Sequence, residues 1–183
     1  MKNLNPPMRY TSTAIIVHWL VALLIFAAFG IGWYMTGIAG LTPQKLKLFS
    51  WHKWLGVTIF GLAVIRMAWR LLHPAPTLSS DMSRWQRQAA HLTHQLLYVL
   101  IIVIPLTGYF YSSASGIPVL YLGLFHMPTI IAKSDQLKSI LGSTYVWLNY
   151  LMAVIVVVHV LAALKHQLID RDGTLIRMLP FLK

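Results

Sequence analysis

The chain has 183 residues, 57% of them hydrophobic and 10% charged, with a formal net charge of +11 and a mean hydropathy of +0.66. That is the composition of one integral membrane unit, residues 1–183, and it excludes a separate soluble domain presenting a basic face to nucleic acid. Four acidic residues, all Asp, stand against fifteen Lys plus Arg, so the excess charge belongs at membrane surfaces beside anionic lipid; the absence of Cys excludes disulfides, thiolate metal sites and covalent haem attachment.

Residues 1–13 are short and basic, and the uncharged run Tyr10 to Gln44 contains a first span at about 14–34. No small-residue cleavage site follows a short apolar region, so this segment reads as a retained helix and not as a signal peptide. His18 lies in its first turns. Thr42-Pro43 and the cations Lys45 and Lys47 separate it from a second span at about 51–72, which His52 begins and which Arg66 and Arg70 close, with stems able to snorkel to the surface. His73-Pro74-Ala75-Pro76 ends that helix, and the polar segment 77–88 is a loop with Arg84 and Arg87 at its basic end.

A third span at about 89–110 carries His91 and His94 in its first turn, three residues apart and therefore neighbours, and Pro105 in its last third, where a kink is expected. Residues 111–144 read as a long connection containing His126-Met127-Pro128. The fourth span, at about 145–168, lies in a 26-residue interval between Lys138 and Lys165 with no charged side chain, long enough to cross a hydrocarbon core of about 30 Å. It carries His159 inside it. Spacings of 14 and 7 residues are nearly whole helical turns, so position 145, His159 and His166 fall within about 40° of one direction.

The Lys and Arg bias orients the bundle. If the N-terminus, the loop between spans two and three and the C-terminus share a side, that side holds ten of the fifteen cations and every Arg. The other side has Lys45, Lys47, Lys53, Lys133 and Lys138. Positive charge marks the cytoplasmic face, so both termini are expected inside the inner (plasma) membrane.

With that topology, His18 and His159 lie at one depth on the inner half, and position 145 lies about 21 Å outward of His159, level with His52. An ionisable side chain at membrane depth faces the protein interior. Two facing imidazoles at one depth are what a non-covalent b-type haem requires, and the bundle core supplies the slot, with Gly30, Gly32, Gly56, Gly61, Ala162 and Ala163 leaving room for a flat macrocycle. The same residues also read as close helix packing, and His91, His94 and His166 as surface imidazoles. Zinc is disfavoured by the lack of Cys and Glu.

The segments His18-Trp19-Leu20, His52-Lys53-Trp54-Leu55-Gly56, Ile65-Arg66-Met67-Ala68-Trp69-Arg70, His91-Leu92-Thr93-His94, Pro105-Leu106-Thr107-Gly108-Tyr109, Ala163-Leu164-Lys165-His166 and Asp172-Gly173-Thr174-Leu175-Ile176-Arg177-Met178 occur in this order. Together they resemble the prokaryotic cytochrome b561 family across essentially the whole chain. The resemblance implies an all-α, four-helix di-haem membrane protein that exchanges electrons between the quinone pool and a periplasmic partner, with superoxide oxidase activity in one branch. It implies that His18 and His159 ligate the inner haem and that His52 is one ligand of the outer haem. The sequence departs from the family at the second outer ligand, where it has Tyr145. The outer iron is then held by a phenolate, is five-coordinate, takes another ligand such as His126 from the outer loop, or is absent.

The expectation is therefore a membrane b-type cytochrome, either an oxidoreductase of the superoxide:quinone type or a plain electron carrier, with one b haem at the inner site and a second in question. Quinone is placed near the inner surface, where His94, His166, Arg84 and Arg87 offer hydrogen bonds and proton uptake. The alternative is a cofactor-free membrane protein whose histidines line a proton or ion path, with Arg66 as the companion charge.

Overall fold

A computed structural model describes residues 9–76 and 82–179. Four long helices dominate: α1 (Ser12–Gly37), α2 (Pro43–Leu72), α3 (Arg84–Ala114) and α4 (Asp135–Lys165). Each is long and apolar enough to cross a membrane. Every start has a hydroxyl cap that accepts from a backbone N–H of the first turn: Thr11 from Ala14, Thr42 from Lys45, Ser83 from Gln86 and Ser134 from Leu137. Pro43 occupies the first turn of α2, where its missing N–H costs nothing, and Gln86 completes a capping box with Ser83.

The helices outrun the apolar spans read from the sequence. Thr42-Pro43 proves to be a helix start and not a separating turn, so α2 begins eight residues before Trp51. The connection expected over 111–144 is shorter. Helix α3 runs to Ala114, α4 starts at Asp135, and between them a small antiparallel hairpin, β1 (Leu120–Tyr121) with β2 (Phe125–His126), pairs Leu120 with His126. Gly123, at φ 74°, lets it reverse. Helix α3 continues through Pro105. After α4 a π-helical turn (His166–Asp170) leads into the tail. Lys2 and Lys183, and residues 77–81 of the polar segment after α2, lie outside the described residues.

Helix α1 packs on α2, α2 on α3 and α3 on α4, whereas no Cα of α1 comes within 8 Å of one in α4. The bundle is open on that side. The core is a cluster of Ala63, Leu100, Ile101, Ile104 and Met152, centred on α3. Large apolar side chains point outward, Trp33 at 85% and Trp147 at 73% exposure among them. A surface of this kind is stable only against lipid, where helices satisfy all their own backbone polar groups.

Side-chain contacts identify the two ends. At one, Trp69 of α2 donates to Thr11 at 2.9 Å and Trp19 of α1 donates to the Met178 carbonyl of the tail at 2.9 Å. At the other, Lys45 donates to the Ile38 carbonyl, Trp54 to Leu120 in the hairpin, and Tyr109 to the Pro128 carbonyl. The first end carries all seven arginines and the second carries Lys45, Lys47, Lys53, Lys133 and Lys138, the partition read from the sequence.

Candidate functional site

Two groups of polar side chains lie inside the bundle, one toward each end. Near the arginine end, His18 on α1 and His159 on α4 face each other across the open side, with ring centroids 6.4 Å apart and planes at 81°. His94 on α3 comes to 5.4 Å from His159. Two imidazoles that bind one metal from opposite sides, each nitrogen about 2.0 Å from it, have ring centroids about 6 Å apart. Their planes both contain the bonding axis and so are free to take any mutual angle. His18 with His159 meets this spacing, and His94 with His159 is too close for it.

Beside this pair lies Arg66 of α2. The sequence suggested a stem snorkelling to the surface; instead its Nη1 is buried with no hydrogen-bond partner, and its guanidinium lies 5.6 Å from the centroid of the Tyr98 ring. Arg70, one helical turn on, lies over the same ring at 5.6 Å. Both line a cleft of about 390 Å³ shared with Tyr10, Val17 and Tyr98. The ion pairs among the described residues involve Lys165 and His166 with Asp170 and Asp172, and none reaches Arg66 or Arg70. A guanidinium nitrogen buried with no partner among the described residues suits an anionic group. The donor set therefore fits a b-type haem: two imidazoles at the right separation, a side of the bundle that no backbone contact closes, and two guanidiniums for its carboxylates.

The second group is different. His52 Nε2 and the Tyr145 hydroxyl are 2.8 Å apart, a direct hydrogen bond between α2 and α4. His52 Nδ1 is buried against α1 by the Ala28 carbonyl without a hydrogen bond of ordinary geometry. A cleft of about 450 Å³ lies alongside, lined mostly by apolar residues of all four helices, with Asn149 as the further polar group. Asn149 donates to the Tyr145 carbonyl at 2.7 Å. An iron bound to both His52 and Tyr145 would need about 2 Å on each side, and 2.8 Å does not hold it.

The other residues singled out in the sequence are dispersed. His126 is exposed on β2, paired with Leu120 across the hairpin, and is not brought to His52. His166 Nδ1 lies 2.9 Å from Asp170 and 3.0 Å from Asp172, held in the turn that ends α4. Arg84 and Arg87 are exposed on the first turn of α3, Arg87 donating to the Met82 carbonyl at 3.2 Å. No hydrogen bond or ring contact among the described residues joins either to His94 or His166. Tyr98 was not foreseen, although it follows His94 by four residues and therefore shares its face.

The family model described as prokaryotic cytochrome b561 matches residues 9–181. Among curated proteins, the chain is 34% identical over 175 residues to cytochrome b561 homolog 2 of Escherichia coli (strain K12), covering 96% of this chain and 93% of the relative. It is 27% identical over 177 residues to cytochrome b561 homolog 1 of the same organism, covering 94% and 97%. A probable superoxide oxidase CybB of Yersinia pestis is 28% identical over 176 residues, covering 94% and 96%.

Proposed function

This chain belongs to the prokaryotic cytochrome b561 family, and within it we propose a b-type cytochrome that carries electrons between the quinone pool at its arginine end and a periplasmic donor or acceptor at its lysine end. The family and the four spanning helices make it a multi-pass bacterial membrane protein of electron transfer. The observation that carries the proposal is the 6.4 Å separation of His18 and His159 across the side of the bundle that no backbone contact closes.

Bound there, b haem supplies reversible one-electron iron chemistry. His18 and His159 would hold it, and Arg66 and Arg70 would hold its carboxylates, with the partnerless Nη1 of Arg66 as the nearest free donor. His94, one ring away from His159, is the hydrogen-bond and proton donor that a quinone carbonyl meets at this depth. The arginine end faces the cytoplasm by the positive-inside rule, which leaves the five lysines outside. Superoxide, named in the description of the Yersinia relative, is the small anionic reactant to try there.

The test is spectroscopic and kinetic. Purified protein is expected to show the reduced-minus-oxidised bands of a b-type haem and to be reduced by a quinol in proteoliposomes. A purified, folded chain with no haem absorbance would defeat the reading. Haem that no quinol reduces would defeat the quinone assignment alone.

A further inference from the structure

Both interior groups have lipid on the outside and helices around them, yet one holds its facing rings apart and the other has shut. We infer that His52 and Tyr145 form a hydrogen-bonded lock and not an axial pair, so that this chain carries a single haem. The inference rests on the reading of His18 and His159 given above and concerns the opposite end of the bundle.

Two notches seat the lock. A Cβ added to Gly32 on α1 would lie 3.3 Å from Cε1 of His52, and one added to Gly108 on α3 would lie 3.0 Å from Cε2 of Tyr145. Each ring thus leans into a gap that only a glycine leaves, with its polar tip turned toward the other. The tips meet at 2.8 Å. Three polar side chains border the cleft beside them, and the two whose contacts bear on residue 145 are engaged: the Tyr145 hydroxyl with His52, and the Asn149 amide with the Tyr145 carbonyl. The cleft runs along Gly56, whose added Cβ would meet nothing within 4 Å. The His52 nitrogen that faces Tyr145 and the Tyr145 hydroxyl are both taken by their mutual bond, so neither is free to bind a metal there.

Residue 145 is the element that closes it. A phenol reaches further from the backbone than an imidazole, so histidine at this position would withdraw its tip from His52 and leave two nitrogens facing across a gap. The full-length protein, expressed with excess haem precursor and purified, is assayed for haem per chain by pyridine haemochrome and for spin state by electron paramagnetic resonance. The wild type is expected to hold one haem, entirely low-spin. His52→Ala and Tyr145→Phe are expected to leave both readings unchanged, and Tyr145→His to raise the stoichiometry from one toward two. Two haems in the wild type, a phenolate-type high-spin signal lost in Tyr145→Phe, or a halved haem content in His52→Ala would overturn the inference while leaving the inner site standing. A folded Tyr145→His that stays at one haem would overturn the role given to residue 145. A wild type with no haem would remove this inference together with the reading on which it rests.

Discussion

His18 and His159 approach to a centroid separation of 6.4 Å although their helices make no backbone contact. Side chains alone bridge the open side of the bundle, so each imidazole should be indispensable to whatever fills it. His18→Ala and His159→Ala are each expected to reduce haem per chain to near zero, since one imidazole leaves the iron without its second axial nitrogen and opens the slot. Pyridine-haemochrome analysis of purified variants decides this, and unchanged content in both would refute the pair. His94→Ala, by contrast, is expected to keep its haem and to slow reduction by quinol.

Arg66, in no ion pair among the described residues, places a positive charge beside the same pair. A cation near the iron favours the reduced form, which carries one more electron, so it raises the midpoint potential. Arg66→Gln is expected to lower that potential by on the order of tens of millivolts and to weaken haem retention, while Arg66→Lys recovers most of the potential without the two-pronged carboxylate contact. Redox titration of the three proteins provides the check. Equal potentials in the presence of full haem would show that Arg66 acts on something else.

These assignments also mark what was legible in the sequence. Apolar intervals and the cation partition were enough for four spans and two ends, because hydrocarbon thickness and lipid charge act on composition directly. Depth arithmetic matched His18 with His159, since rise per residue is nearly constant in a helix. It could not show that α1 and α4 stand apart, that His94 reaches His159, or that Arg66 turns inward, because these depend on which helices are neighbours and how each is rotated. The caps at Thr42 and Ser134 were also hidden: polar first turns outside the lipid resemble loops when hydropathy is the guide. Tyr145 is the opposite case, visible at once as a departure, but only its 2.8 Å contact with His52 gives the departure a consequence.

The lysine end supplies a prediction about encounter. Lys45, Lys47 and Lys53 lie in the first three turns of α2, Lys133 just before α4 and Lys138 in its first turn, with Asp135 as the acidic neighbour. A one-signed surface of this kind steers small anions, and the effect fades as the Debye length falls from about 30 Å at 0.01 M to about 8 Å at 0.15 M. The second-order rate of reduction by superoxide, followed by stopped flow, is therefore expected to fall severalfold over that range of ionic strength. Changing Lys47 and Lys138 together to Gln should flatten the dependence. A rate indifferent to salt in the unaltered protein would rule out steering.

The last prediction turns on two glycines that differ in what surrounds them. At Gly108 a Cβ would sit 3.0 Å from the Tyr145 ring, tighter than ordinary carbon contact, so the ring would have to give by a few tenths of an ångström while tethered to His52. Gly108→Ala is expected to cost about 1–3 kcal/mol, the usual range for overpacking a fitted contact. At Gly56 the added methyl meets nothing within 4 Å, so Gly56→Ala should be close to neutral or slightly stabilising. Thermal unfolding in one detergent, with haem content measured alongside, compares the two. If a second macrocycle filled the cleft along α2, the order would change: Gly56→Ala would crowd it and lose haem. Haem content unchanged in Gly56→Ala, beside a lowered melting temperature in Gly108→Ala, is the pattern expected of a site closed by Tyr145.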